Sequence, residues 1–437
     1  MDPHPGFPDH VTKTLARLLG AGFPVHVVGG ALRDILLGRE ARDFDLVVDG
    51  DFEAVWRALP GAIMIPAHTR VIVIPQRPNQ SRIEISVLHS SAGGLEGNLR
   101  RRDFTLNAIA FNPQTSSFVD PLEGRGDLSA RRLRAADPPH TFRDDALRIL
   151  RGTRLSFELD LTLEPETRLA MEREAWRLHA TPGERLRDEL FRLLALTSPS
   201  RGVERLRALG ALAPVMPELL REVGVAQNRH HPEDVFRHSL RVCDLIRPDP
   251  LLRLAGLLHD AAKPESKRFE SAKQDFSFLR HDLIARSHVQ RAAKRLRLSK
   301  REESRIERLV RHHLLFPQRL QSDFAIRRML RRVGRDILPD LLELRRADLA
   351  ARDPKEGLPS EWRDTEHRIR ELARTTAVPA RVRLAIGGGE IMRELGIPEG
   401  PGVGRWLRRA QRRVLEHPGE NVRERLLAWL REAQQAD

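Results

Sequence analysis

The run Val28-Gly29-Gly30-Ala31-Leu32-Arg33-Asp34, followed closely by Asp43-Phe44-Asp45-Leu46-Val47-Val48, most restricts what this chain can fold into. A glycine pair between an apolar run and a helix-like run lets backbone N–H groups come close to a phosphate. Asp43 and Asp45 stand two apart at the head of a second apolar run, and on a strand such residues share a face. Carboxylate oxygens placed that way hold hard divalent cations. No local basic partner is expected on that face. The combination predicts a strand-borne cation site beside a phosphate cradle, suited to a metal-dependent enzyme that handles a nucleoside triphosphate.

The expected partner class follows from charge. Lys and Arg number 75 against 61 Asp and Glu, a net charge of +14, which favours a polyanion and nucleic acid first. Aromatic residues are only 5% and Tyr is absent, so stacking platforms for bases are not expected. Cys243 is the one cysteine, which excludes an intramolecular disulfide and suits a reducing compartment. No apolar run approaches membrane-spanning length, and the N-terminus lacks a basic-then-apolar signal. A cytoplasmic protein without a membrane partner is the expectation.

The 437 residues suffice for two to four domains. A short amphipathic helix is predicted at 10–19. Strand patterns follow at Pro24–Val28, Phe44–Val48, Ala62–Ile65, Arg70–Ile74, Arg82–Leu88 and Leu106–Phe111, with helices at Ala31–Leu37 and Phe52–Leu59. After Thr141 strand signals nearly vanish and helices dominate, among them Asp145–Leu155, Pro165–Leu178, Gly183–Leu194 and Pro199–Leu209. Pro354–Pro359 and Gly387–Gly389 read as linkers. The expected class is α+β: a small mixed α/β head over 1–140, a helical neck over 141–225, a second helical domain over 226–355 and a helical tail over 356–437.

Three further clusters carry chemistry. Arg100-Arg101-Arg102-Asp103 with Asn107, at the start of a predicted strand, offers guanidinium groups to phosphate and a carboxylate to a ribose hydroxyl. Asp120-Pro121-Leu122-Glu123-Gly124-Arg125-Gly126-Asp127 reads as a turn capped by Asp127 before a short helix. Asp145 and Arg148 stand three apart on a predicted helix and so share a face. A carboxylate beside a guanidinium can accept from the amino group of cytosine or adenine and donate to the ring. Uracil reverses that order and would leave buried groups unpaired.

These clusters, in this order from about Val25 to Leu155, resemble the class II tRNA nucleotidyltransferases and bacterial poly(A) polymerases of the polymerase β superfamily. Pro182-Gly183-Glu184-Arg185-Leu186-Arg187-Asp188-Glu189-Leu190 is similar to that family's helical neck motif. The resemblance implies that Asp43 and Asp45 are catalytic and bind two Mg2+ ions, and that Gly29, Gly30 and Arg33 handle the triphosphate. It implies that Arg102, Asp103 and Asn107 lie by the ribose and phosphates, that Asp145 and Arg148 select the base without a template, and that Arg151 belongs to the nucleotide site. One departure is Asp144, where the family usually has Glu. The implied reaction transfers a nucleotide from CTP, or from ATP, to a tRNA 3′-hydroxyl with pyrophosphate leaving in line. Only Ser86–Leu99 separates the Glu84 strand from Arg100, and relatives that add CC alone have a similarly reduced segment; CC addition is therefore expected, with full CCA addition or poly(A) synthesis as alternatives.

A second site is foreseen downstream. His259-Asp260 on an apolar helix, with His238 21 residues upstream, has the spacing of metal ligands on two packed helices, and His281 and His312-His313 follow further on. The set resembles the HD phosphohydrolase superfamily. That resemblance implies that His238, His259, Asp260 and Asp348 hold a second divalent metal (Mg, Mn or Ni), and that the domain adds phosphohydrolase activity. An HD phosphohydrolase with an inactive head is the competing reading from another class.

Overall fold

The computed structural model describes residues 6–65, 71–75, 81–88, 93–228, 232–315, 317–352, 357–375 and 383–435. Parts of the Ser86–Leu99 segment and of the Pro354–Pro359 linker lie outside them, as does Arg70. The chain forms two compact units, Met1–Val215 and Met216–Asp437.

The first unit opens with helix α1 (Asp9–Gly20), which buries Val11, Leu15 and Leu18 at helical spacing. Strands β1 (Val25–Val28), β2 (Asp43–Val48), β3 (Ile63–Ile65), β4 (Val71–Ile74), β5 (Arg82–Val87), β6 (Ala110–Asn112) and β7 (Ser117–Val119) make one sheet in the order β3-β4-β5-β2-β1-β6-β7. Only β2 and β5 run parallel; the other pairings are antiparallel. β2 sits near the middle because Phe44, Leu46, Val47 and Val48 bury on both faces. Val28, Val47 and Ala110 pack with Leu99 and Ala108 in one core cluster. Helices α2 (Gly30–Leu36), α3 (Phe52–Arg57) and α4 (Gly94–Arg100) connect the strands.

Three local features depart from the expected pattern. Leu106 is not in a strand: Thr105–Asn107 is a 3-10 turn and β6 starts only at Ala110. Asp103 Oδ1 accepts from the Phe104 amide and from Asn107 Nδ2, both at 2.8 Å, and these local bonds take the backbone off the ladder. Asp127 does not cap the next helix, α5 (Gly124–Ser129); Asp120 does, accepting from the Gly124 and Arg125 amides at 2.7 and 2.9 Å. Asp127 instead is fully buried inside α5 and accepts from Thr105 Oγ1, Arg132 Nε and Arg134 Nε. Asp145 is not helical. It lies extended (φ −150°, ψ 102°) between α6 (Pro138–Asp144) and α7 (Leu147–Glu158), where its carboxylate accepts from the Leu147 amide at 3.1 Å. A short carboxylate that bonds a nearby N–H prefers such a cap to a helix interior.

A two-residue ladder joins β8 (Arg132–Leu133) to β9 (Thr162–Leu163). Then come α8 (Pro165–Glu174), α9 (Gly183–Leu194), α10 (Pro199–Ala208) and the single turn α11 (Leu212–Val215). The Pro165–Leu178 segment stays helical only to Glu174 and tightens into a 3-10 turn at Ala175–Ala180.

The second unit begins with α12 (Pro217–Leu220), followed by α13 (Val235–Leu245), α14 (Pro250–Leu258) and α15 (Lys263–Ser266). A hairpin of β10 (Lys267–Glu270) and β11 (Asp275–Phe278) follows, with Phe269 opposite Phe276. Its short strands and mixed polarity gave the sequence no alternating signal. Helices α16 (His281–Arg295), α17 (Lys300–His312) and α19 (Leu338–Arg352) complete the bundle around α13 and α14, and α18 (Asp323–Val333) packs against helices of the tail. Ser299 and Glu302 form a capping box at α17. The tail contains α20 (Ser360–Thr375), α21 (Gly388–Leu395), α22 (Pro401–Glu416) and α23 (Arg423–Gln435). Gly387 caps α21, so Gly387–Gly389 starts a helix instead of forming a linker. Ile391, Leu395, Val403 and Leu426 share the tail's core. Among the described residues no helix is long and apolar enough to cross a membrane.

The packing of α5 on the Thr105–Asn107 turn leaves no room for a side chain at Gly124: a Cβ there would stand 2.1 Å from the Thr105 carbonyl oxygen. Gly124→Ala is expected to destabilise the first unit by about 1–3 kcal/mol through overpacking. Gly126→Ala, which meets nothing within 4 Å, gains up to about 1 kcal/mol of helix propensity. Thermal melts of the two variants read the contrast; equal shifts refute the close approach.

Candidate functional site

The first unit holds a cleft of about 550 Å³. Its walls carry Gly30, Arg33, Asp45, Arg102, Asp103, Asn107, Asp145, Arg148 and Arg151, nine of the eleven residues that the sequence reading assigned to the nucleotide and catalytic site. Gly29 and Asp43 stand beside it without lining it. Asp43 is exposed at the start of β2, and Asp45, two residues on, is half-buried.

Gly29 is the junction of β1 and α2. Its φ of +80° is a left-handed value that glycine adopts without strain. A Cβ there would come within 2.6 Å of Arg102 Nη1 and 2.7 Å of Asp45 Oδ2, so the bare backbone sits directly against both groups. Arg102 Nη1 is 4.0 Å from Asp45 Oδ2. The cation that faces Asp45 is thus not a local one; it comes from a distant segment folded onto the strand face. Arg102 is largely buried, and its Nε has no hydrogen-bond partner among the described residues. Burial pushes the Asp45 carboxyl above the usual carboxylate range; Arg102 pulls it down, and Glu84 and Asp43 push it up again.

Glu84 was missed by sequence reasoning. The parallel register of β2 and β5 sets Glu84 directly beside Asp45, and Arg82 Nη2 holds its carboxylate at 2.9 Å. Only strand pairing reveals that neighbour, and no sequence spacing signals it. The donor set of Asp43 and Asp45 is oxygen only, and the raised Asp45 carboxyl shows charge that its surroundings leave partly unanswered. Both properties fit a hard divalent cation.

Behind this face runs a chain of charge-assisted hydrogen bonds. Arg33 Nη1 donates to Asn107 Oδ1 at 2.9 Å, and Asn107 Nδ2 donates to Asp103 Oδ1 at 2.8 Å. Arg151 Nη1 donates to Asp103 Oδ2 at 3.1 Å and its Nε to Glu189 Oε1 at 3.4 Å. Arg154 Nε reaches Glu189 Oε2 at 2.9 Å. Burial alone would raise the Asp103 carboxyl. Arg151 and the hydrogen bonds from Asn107, Arg151 and the Phe104 amide outweigh it and hold the group below its usual range, so it remains a carboxylate.

Asp145 and Arg148 both face the cleft; the Arg148 amide donates to the Asp145 backbone carbonyl at 3.1 Å, while their side chains bond other partners. Arg185, from α9, donates Nη2 to Asp145 Oδ2 at 2.6 Å and Nη1 to Oδ1 at 3.3 Å. Arg148 donates to the carbonyls of Thr141 and Arg101 at 3.3 and 3.2 Å. Arg185 also lines the cleft; it sits in the neck motif, where the sequence alone gave it no partner. Asp144 ends α6 exposed to solvent.

The second unit brings its four predicted residues together. His238 on α13, His259 at the end of α14 and Asp348 on α19 form one group whose ligand atoms lie within 4.8 Å of one another. Asp260 joins a second such group with His281 and His313, which the prediction left out. All six are buried. Asp260 and Asp348 are held well below the usual carboxylate range: burial opposes this, and it is outweighed by His259 and Lys263 at Asp260 and by Arg352 and Arg345 at Asp348. Buried nitrogen and oxygen donors converging in this way fit a divalent transition metal.

Two outcomes follow for the head. Gly29→Ala is expected to fold yet lose about 10²-fold in turnover, because the added methyl displaces Asp45 and Arg102 together; turnover within threefold of the parent refutes the contact. A raised Asp45 carboxyl favours the protonated form in the fold, so its charge costs stability once pH rises through its titration. The melting temperature of the metal-free Asp45→Asn variant should match the parent's in acid and exceed it increasingly as pH rises. The opposite trend refutes that sign.

Comparison with known proteins agrees with this architecture. The Poly A polymerase head domain family matches residues 25–134, the family described as probable RNA and SrmB- binding site of polymerase A matches 160–222, and the HD domain family matches 229–353. An A-adding tRNA nucleotidyltransferase of Deinococcus radiodurans is 35% identical, with 90% of this chain and 92% of that one covered. A CC-adding tRNA nucleotidyltransferase of Thermus thermophilus is 34% identical, with 99% and 98% covered. The crystal structure of the Bacillus stearothermophilus CCA-adding enzyme in complex with CTP shares the fold at a TM-score of 0.68 and 24% identity, with 98% and 97% covered. Extended identity to two such enzymes, over a head and an HD region in the same order, means that this chain belongs to the family of tRNA nucleotidyltransferases and poly(A) polymerases.

Proposed function

We propose that the first unit transfers nucleotides from a nucleoside triphosphate to the 3′ end of a tRNA. The observation that carries this reading is the single cleft in which Asp45, the arginines Arg33 and Arg102, and the Asp145/Arg148 pair face one space. Asp43 and Asp45 would hold Mg2+, with Glu84 beside them. Bound Mg2+ supplies a lowered pKa to the tRNA 3′-hydroxyl and neutralises charge on the phosphoryl group in transfer. Gly29 and Gly30 bring bare backbone to the triphosphate, and Arg33 and Arg102 neutralise it. Asn107, held by Asp103, faces the sugar side, and Arg151 keeps Asp103 ionised. Asp145 accepts from the amino group of the incoming base while Arg148 donates to its ring. The finer division into head 1–140, neck 141–225, HD domain 226–355 and tail 356–437 belongs to this proposal. So does a cytoplasmic setting, which a single buried thiol suits.

For the nucleotide added, the short Ser86–Leu99 segment and the Thermus relative support CC addition. The Deinococcus relative, similar to the same degree, supports a second reading, addition of the terminal A. Purified chain is incubated with tRNA lacking CCA and with tRNA ending in CC, each with CTP or ATP alone, and the products are sized on a gel. Two C residues on the first substrate and nothing on the second are expected. One A on the second substrate overturns CC specificity and leaves nucleotidyl transfer standing; no incorporation anywhere overturns the transfer itself. Asp43→Ala with Asp45→Ala is expected to cut incorporation at least about 10³-fold, the worth of several kcal/mol of metal stabilisation.

A further inference from the structure

Helix α18 carries Arg327, Arg328, Arg331 and Arg332 within two turns. Arg327 turns to the tail, where it donates to the carbonyls of Leu415 and Glu416 at 3.4 and 3.0 Å, at the end of α22. A cation answering the last carbonyls of a helix needs no further explanation. The other three line a cavity of about 670 Å³ together with Arg319, from the turn between α17 and α18. Ala325, Arg328, Met329 and Arg332 stand three and four apart and form one face of the helix along this cavity. The guanidinium groups of Arg331 and Arg332 have no hydrogen bond or ion pair among the described residues.

Among the described residues no aspartate or glutamate lines the cavity. The acids nearest in sequence are engaged elsewhere: Asp323 accepts from Arg327 and Arg368, and Asp336 accepts from Arg308. Arg328 and Arg332 are like charges four residues apart, a spacing that weakens a helix unless an anion lies between them. The floor is apolar, because Leu315, Leu320 and Met329 are buried and line the same space. An occupant that answers four guanidinium groups carries several negative charges close together, and phosphate oxygens match the guanidinium fork. A single carboxylate on an acyl chain would leave most of them unanswered. An inorganic polyphosphate would bring nothing apolar to the floor. A nucleotide has both parts, a flat base whose faces leave water readily and a run of charge. The Met329 thioether on the floor favours an aromatic ring. The cavity is larger than the 550 Å³ cleft of the first unit, so a nucleotide fits it.

We propose that this cavity is a separate nucleotide-binding site, with the base seated on Leu315, Leu320 and Met329 and the phosphates held by Arg319, Arg328, Arg331 and Arg332. Among the described residues its walls hold only leucine, alanine, methionine and arginine, with no nucleophile, general base or metal-ligating carboxylate or imidazole. The site therefore binds its ligand without reacting with it. A nucleoside phosphate has two sources, a free nucleotide and a nucleotide within an RNA chain. Leu314 and Arg319 also line the cavity over His281 and His313, whereas Arg328, Arg331 and Arg332 do not. Those three arginines report on this site alone.

The test irradiates the full chain with 8-azido-ATP, digests it after acidic residues and identifies labelled peptides by mass spectrometry. Label is expected within residues 308–336, the stretch between Glu307 and the bond after Asp336. Label is read peptide by peptide, so nucleotide held in the cleft of the first unit is counted apart. Arg331→Gln with Arg332→Gln should reduce the label in 308–336 at least about tenfold, the worth of one or two lost charge-assisted hydrogen bonds. Competition on the parent chain needs no variant. Displacement of this label by ATP supports a free nucleotide as occupant; displacement by a short single-stranded oligoribonucleotide at far lower concentration than ATP supports RNA. Inorganic triphosphate competing as well as ATP overturns the seat for the base, and an acyl carboxylate competing as well overturns the phosphate recognition. No label in 308–336, or label unchanged in a folded double variant, overturns the site.

Discussion

The Asp103 carboxylate is the interaction on which the head's cleft depends. It is almost completely buried and accepts on both oxygens. Through Asn107 it fixes Arg33 on α2, and through Arg151 it reaches Glu189 on α9. A buried charge of this kind is held in place by its partners, and the loss of any of them would leave it costly. Three segments distant in sequence therefore meet at one acid. Asp127 performs the corresponding service one layer back: it ties Thr105 to Arg132 and Arg134 and keeps the Thr105–Asn107 turn in position.

Much of this was legible in the sequence because the relevant segments are short and locally determined. The Gly29-Gly30 junction, the strand bearing Asp43 and Asp45, and the helices α9 and α10 follow from glycine chemistry and apolar periodicity. What escaped depends on pairing at a distance. Glu84 becomes a neighbour of Asp45 only through parallel register, and Arg102 reaches Asp45 only because α4 packs back on the sheet. Asp145 escaped for another reason: helical spacing placed it correctly on a line of residues, but its side chain bonds an amide and leaves the helix to do so. His281 and His313 were visible as histidines, yet nothing in their spacing showed that they converge on the far oxygen of Asp260.

The two units present different donor sets. The head offers only carboxylate oxygens at a partly solvated strand end, which suits a hard ion that exchanges readily and keeps much of its water. The helical unit offers buried imidazole nitrogens and carboxylates, and the rings of His259, His281 and His313 are each held by a backbone carbonyl three residues back. A metal held on such donors would be of the softer kind and would leave slowly.

The contact between Asp145 and Arg185 carries a consequence for ionic strength. Any group that docks on the Asp145 carboxylate must displace a two-pronged guanidinium already seated there, on side chains that are 29% and 50% exposed. Docking is therefore an exchange between two partners, and what counts is the difference between their interactions. An exposed ion pair weakens as salt rises, whereas hydrogen bonds to a neutral partner change little. Salt thus loosens the occupant and spares its replacement, so access to this carboxylate improves under conditions that weaken the hold of the surrounding arginines on a polyanion.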